Sequence, residues 1–143
     1  MIQRRTLLSI VGCTAAGHLL PVSSALALGE LERHFVAEAA RMKSEAVAKG
    51  DQPYGAVLVR GGAIIGYGPS RVILDRNPDA HAERVALWDA QRRSGSQELE
   101  GAVIYSTSRA CSACQQALAR AKIERMYFGP DATDAGRPQR GGS

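Results

Sequence analysis

Apolar residues at Leu31, Phe35, Ala39, Met42 and Ala46 recur three and four positions apart, with charged residues between them. That spacing predicts an amphipathic helix over residues 30–49, and Gly50 supplies its stop. The period then changes. "YGAVLVR" and "AIIGYG" are short apolar runs around Gly61-Gly62, which predicts a hairpin, and "RVIL" reads as a third extended piece. Asn77-Pro78-Asp79 offers turn and cap chemistry to a second helix, from His81 to about Arg93, with Val85, Leu87, Trp88 and Ala90 on its buried side. Ser94-Gly95-Ser96 ends it. "AVIYST" predicts a buried strand, residues 111–122 a third helix and "RMYFG" another strand, so the last two strands pair in parallel across a helix. Residues 130–143 keep no apolar period and read as a polar, fraying tail.

The first 27 residues follow a different rule. Arg4 and Arg5 are their only charges, an apolar run from Leu7 to Leu20 follows, and Ala25-Leu26-Ala27 has the small-x-small form of a cleavage site. The stretch reads as an export signal. "QRRTLLS" resembles the twin-arginine pattern recognised by export machinery, without its usual preceding Ser and its Phe. Thr14, Gly17, His18 and Pro21 interrupt the apolar run, which argues against a membrane anchor. The expected organisation is therefore a signal over 1–27, one domain over 28–129 and the tail, with the mature protein periplasmic or exported.

A chain of 143 residues with 45% hydrophobic and 22% charged residues fits one globular domain. Its formal charge of +4 includes Arg4 and Arg5, so the mature chain keeps about +2. No basic stripe with interleaved aromatics runs along it, which removes the usual sign of a nucleic-acid surface. Arg137 and Arg140 belong to the tail and read as solvated.

Chemistry concentrates in two short stretches. Cys13 and His18 leave with the signal and His34 sits on the first helix as a surface or packing residue, which leaves His81, Cys111 and Cys114. Cys111 and Cys114 open the third helix, where positions three apart share a face, and His81 opens the second helix in the same topological place. Two helix N-termini side by side on a sheet would bring one imidazole and two thiols together, a donor set suited to zinc with a fourth position for water. Glu83 would stand beside the metal without binding it, placed to move protons. The rival reading of the pair is a redox-active or structural disulfide in an exported thiol protein.

His-x-Glu followed by a C-x-x-C at a helix start is the spacing of zinc nucleobase deaminases. "DAHAERVAL" with "TSRACSAC" resembles the cytidine and deoxycytidylate deaminase superfamily, and "PYGAVLV" resembles the pocket-opening strand of its guanine, cytosine and tRNA-adenosine deaminase branch. "ATDAG" is similar to the guanine deaminase group. The resemblance implies a three-layer α/β/α sandwich with a mixed sheet, and hydrolytic removal of ammonia from a small-molecule base or nucleoside. It implies zinc on His81, Cys111 and Cys114, proton transfer by Glu83, substrate contacts from the Ala82 amide, Ser70 and Tyr54, and a homodimer.

Three departures stand out. Ala110 replaces the usual proline before the first cysteine, and Arg109 replaces the glutamate before that, which puts a positive charge beside the site. Ser70 stands where the branch has a base-binding asparagine, so base recognition is expected to differ. These changes motivate an alternative in which the domain keeps zinc and binds a base-like ligand without turnover.

Overall fold

The structure, a computed structural model, describes residues 23–141. The greater part of the stretch read as an export signal lies outside these residues. The first helix, α1 (Ser23–Ala48), begins seven residues before the expected start and takes in the Ala25-Leu26-Ala27 motif. Ala and Leu are strong helix formers and carry the helix upstream of its amphipathic part. Gly50, at φ 82°, follows its end.

β1 (Gly55–Arg60) and β2 (Ala63–Pro69) form the hairpin, with the extra residue Ile65 interrupting the register between Gly66 and Ile64. α2 (Ala82–Ser94), β3 (Val103–Ser106), α3 (Ser112–Arg120) and β4 (Arg125–Phe128) follow as the pattern predicts. The sheet runs β2-β1-β3-β4 and ends on β5 (Thr133–Gly136). Only β3 and β4 pair in parallel; the other neighbours are antiparallel.

β1 alternates between two cores. Val57 and Val59 face α1, where they meet Phe35, Ala39 and Met42 together with Tyr105. Ala56 and Leu58 face α2 and α3, where Ala86, Leu87, Ala90, Leu118, Ile104 and Met126 close around them. Leu58, Ile104 and Leu118 are fully buried, each worth about 1.5–3 kcal/mol of transfer free energy. The result is helix, mixed sheet and helix in three layers.

Four expectations change. "RVIL" is a turn: the Asp75 amide donates to the Arg71 carbonyl and the Asn77 amide to the Val72 carbonyl, while the Asp51 carboxylate accepts from the Ile73 and Leu74 amides. A buried acid 22 residues upstream thus captures donors that a strand would have used. The stretch read as a fraying tail contains β5, which adds to the open edge of β4; Arg125 and Asp134 pair across it at 2.6 Å, and Ala135 packs on the core. Trp88 is 38% exposed instead of core, with the Arg84 guanidinium 5.6 Å from its ring centroid. Leu31 is exposed, one turn above the contact that α1 makes with the sheet.

Candidate functional site

The site depends first on how closely α2 lies on the sheet. A Cβ at Gly68 would strike the Ala82 carbonyl and the Ala86 amide, and one at Gly66 would strike the Ala86 carbonyl and Ala90. Glycine at both positions lets the first turns of α2 rest on β2, and Asp89 fastens the helix by accepting from the Tyr67 amide at 2.9 Å. The N-terminus of α2 is thereby set at the strand ends.

His81 is the N-cap of α2 and Cys111 the N-cap of α3, both in extended backbone conformation and neither side chain spent on a capping bond. Each carbonyl already accepts the first helical bond, from Val85 and Gln115 respectively. The approach to Cys111 is pinned: the Thr107 amide donates to the Gly55 carbonyl, the Thr107 hydroxyl accepts from the Gly55 amide, and the Ser106 hydroxyl donates to the Ser108 carbonyl. The approach to His81 is pinned by an Asx turn, in which the Asn77 side chain accepts from the Asp79 amide.

These two loops bring three donors together. His81 Nδ1 lies 3.6 Å from Cys111 Sγ and 3.5 Å from Cys114 Sγ, and all three donor atoms fall within 4.8 Å of one another. Tetrahedral zinc, with bonds of about 2.3 Å to sulfur and about 2.0–2.1 Å to nitrogen, needs N···S separations of about 3.5–3.6 Å. The donor set fits the metal in both chemistry and spacing. Both cysteines are free; Cys114 is fully buried and Cys111 exposed. Burial pushes the Cys114 thiol well up, Glu83 and Cys111 add to this, and Arg84 opposes it. A dication among the donors reverses that preference and holds the thiolate.

Glu83, in the first turn of α2, is 5% exposed. Burial raises its carboxyl above the ordinary value, and its own backbone amide, the His81 ring and the Cys114 thiol pull the other way without cancelling the rise. His81, Ala82, Glu83 and Cys111 line one side of a cavity of about 650 Å³; Gln52, Pro53, Tyr54, Ser108 and Arg109 complete its wall. Tyr54 is 43% exposed and belongs to this wall, not to the core.

Ser70 is placed differently. It is 1% exposed, does not line the cavity, and donates its hydroxyl to Asp51 at 2.9 Å. Sequence reasoning also passed over Gln52 and Ser108 in the wall, and Asp51 behind it. The adjacent polar pair Asp51-Gln52, directly before Pro53-Tyr54, was the available signal. His34 is exposed on α1, away from the three donors.

A second cleft of about 620 Å³ lies between α1, β2 and α2, with Arg41, Arg71, Arg92 and Arg93 among its lining residues. Those arginines are paired with Glu38, Asp75 and Asp89, and none of the three convergent donors reaches it. The chemistry therefore belongs to the first cavity.

A mixed sheet between helix layers, with an imidazole and two thiols meeting at two helix N-termini, defines a class of zinc-binding α/β/α domain. Residues 30–130 match the cytidine and deoxycytidylate deaminase zinc-binding region, and the chain belongs to that family. A tRNA-specific adenosine deaminase of Aquifex aeolicus is 36% identical over 97 residues, covering 68% of this chain and 64% of the relative. A guanine deaminase of Bacillus subtilis is 32% identical over 102 residues, covering 71% of this chain and 65% of the relative. The chain thus spans slightly under two thirds of either relative's length. A solved structure from a study of A-to-I editing by tRNA deaminases at the wobble position superposes with a TM-score of 0.65 at 33% identity, covering 67% of this chain and 70% of the other.

Proposed function

We propose that the protein is a zinc-dependent hydrolase that removes an amino group, as ammonia, from a nucleobase or nucleoside. The observation that carries this reading is the placement of Glu83. A buried carboxyl with a raised pKa shares one cavity with the metal donors His81 and Cys111, as a proton-transfer group requires.

Zinc held by His81, Cys111 and Cys114 would lower the pKa of a water molecule toward neutrality. The remaining work falls to the chain. Glu83 takes a proton from that water and delivers it to the ring nitrogen beside the amino-bearing carbon, as the water oxygen bonds to that carbon. It then carries the second proton to the amino nitrogen. The C–N bond breaks, ammonia leaves and a carbonyl remains, so one water is consumed for each ammonia released. The wall formed by Ala82 and Tyr54 orients the ring, and the fixed N-cap of α2 keeps Glu83 in register with it.

The test is ammonia release by the zinc-loaded protein from guanine, adenine, cytosine and their nucleosides. Zinc-dependent release from at least one of them is expected. No release across the panel, from protein with one zinc bound, rejects the enzyme. A second reading, base binding without turnover, is supported by Ser70, whose hydroxyl is committed to Asp51; it is distinguished by retained binding in the absence of ammonia.

We also infer from Arg4-Arg5 and Ala25-Leu26-Ala27 that residues 1–27 direct export. A secreted form whose N-terminal residue is Leu28 is the expected product, and an exclusively full-length cytoplasmic chain rejects the inference.

A further inference from the structure

Arg109 is exposed at the wall of the catalytic cavity, two residues before Cys111. Among the described residues it has no carboxylate partner within ion-pair distance, whereas every arginine named above in the second cleft has one. Its guanidinium lies 5.9 Å from the centroid of the Phe128 ring, on the neighbouring β4, within reach of a cation–π contact. Ser108, its neighbour in the wall, offers a hydroxyl on the same rim. Among the described residues, Arg109 is the only lysine or arginine lining the cavity, and Glu83 the only acid. At about 650 Å³ the cavity is in the range that holds a drug-sized molecule, with room beyond a bare base.

We propose that Arg109 is the anion-recognising residue of this cavity and selects base-containing substrates that carry a phosphate or carboxylate, on the sugar or on the ring. The proposal rests on the deaminase reading for its chemistry but not for its binding. A guanidinium carries paired N–H donors suited to two oxygens of one anion, and Arg109, in the cavity wall with no carboxylate partner among the described residues, is available to an anion that enters. A small molecule is favoured over RNA. Phosphate-backbone binding needs a track of several cations, and the cavity wall offers one.

The experiment uses the zinc-loaded full-length chain with its Arg109→Gln and Arg109→Glu variants. Adenosine, guanosine and cytidine are each compared with the 5′-monophosphate, and cytosine with 5-carboxycytosine, by equilibrium binding and by ammonia release. In the wild type the anionic member of at least one pair is expected to bind about ten- to a hundredfold more tightly. That ratio should fall toward one in Arg109→Gln and below one in Arg109→Glu; the pair showing it tells phosphate from carboxylate. An exposed position makes misfolding an unconvincing cause of such a reversal. Equal binding within every pair, or a preference that survives Arg109→Glu, overturns the proposal. So does an RNA stem-loop that outcompetes every small anion. If Arg109-dependent anion binding appears while no ammonia is released, the hydrolase reading fails and this one stands.

Discussion

The Ser70 hydroxyl and the Asp51 carboxylate meet at 2.9 Å behind the cavity wall, and both residues are buried. The same carboxylate accepts from the Gln52, Ile73 and Leu74 amides. One side chain therefore ties the strand approach that carries Gln52 and Tyr54 to the turn that leads toward His81. Its loss leaves the buried Ser70 hydroxyl and three part-buried amides without their partner. Asp51→Ala is expected to cost about 2–4 kcal/mol in urea unfolding. A loss below about 0.5 kcal/mol would show that water replaces the carboxylate at little cost.

The same group carries a pH signature. Burial alone would raise the Asp51 carboxyl, but hydrogen bonds from Leu74, Gln52, Ser70 and Ile73 outweigh it and hold the group below the ordinary range. A folded-state value below the unfolded one gives stabilisation that is full above the unfolded value, near 4, and is lost as pH falls toward the folded value. Arg71 and Asp75, the charged neighbours, form their own pair at 2.7 Å and are common to both proteins compared. The stability gap between wild type and Asp51→Asn should stay constant from about pH 7 to pH 5 and narrow below about pH 4. A gap that widens in acid contradicts the sign.

The elements that reach the site were legible because their signals are local. The hairpin turn at Gly61-Gly62, the helix spacing of α2 and α3, and the C-x-x-C stretch each occupy a few consecutive residues. What escaped depends on partners outside the stretch itself. "RVIL" has the β-branched look of a strand, yet its amides answer to Asp51. "TDAG" has no apolar alternation, yet it forms β5 because β4 offers an open edge and Arg125 meets Asp134. Ser70 was legible as a departure, but its retreat behind the wall was not, since that depends on a carboxylate 19 residues away.

Metal binding and folding should be linked through His81, Cys111 and Cys114. A ligand that binds only the folded state stabilises it by about 4 kcal/mol at a thousand times its dissociation constant. Chelation is expected to lower the wild-type Tm by several degrees. Cys111→Ser, exposed and small, should bind zinc far more weakly, start from the lower Tm and show no further drop with chelator. Equal chelator sensitivity in both proteins would remove Cys111 from the ligand set.

Close packing of α2 on β2 gives a structural prediction with a functional readout. At Gly68 a methyl group meets main-chain atoms of Ala82 and Ala86, which cannot swing aside as a side chain would. Gly68→Ala is expected to destabilise by about 1–3 kcal/mol, in the range of overpacked cores. Because Ala82 lies between His81 and Glu83, the displaced turn should also weaken zinc affinity. Unchanged stability together with unchanged zinc affinity would mean that the sheet yields instead of the helix.

Glu83 separates chemistry from architecture most sharply. Glu83→Gln keeps the length and nearly the volume of the side chain, so the first turn of α2 and the three metal donors should be undisturbed. The amide cannot accept and return a proton, and general acid–base transfer contributes about 10²–10⁴-fold to rate. Ammonia release should therefore fall by that factor while the zinc content stays at one per chain. Stability should hold or rise, because a buried carboxyl raised above its ordinary value is not a group the fold favours in its charged form. A variant with full zinc, intact folding and wild-type turnover would assign proton transfer to another group. A variant that lost its zinc would instead make Glu83 a support of the metal site.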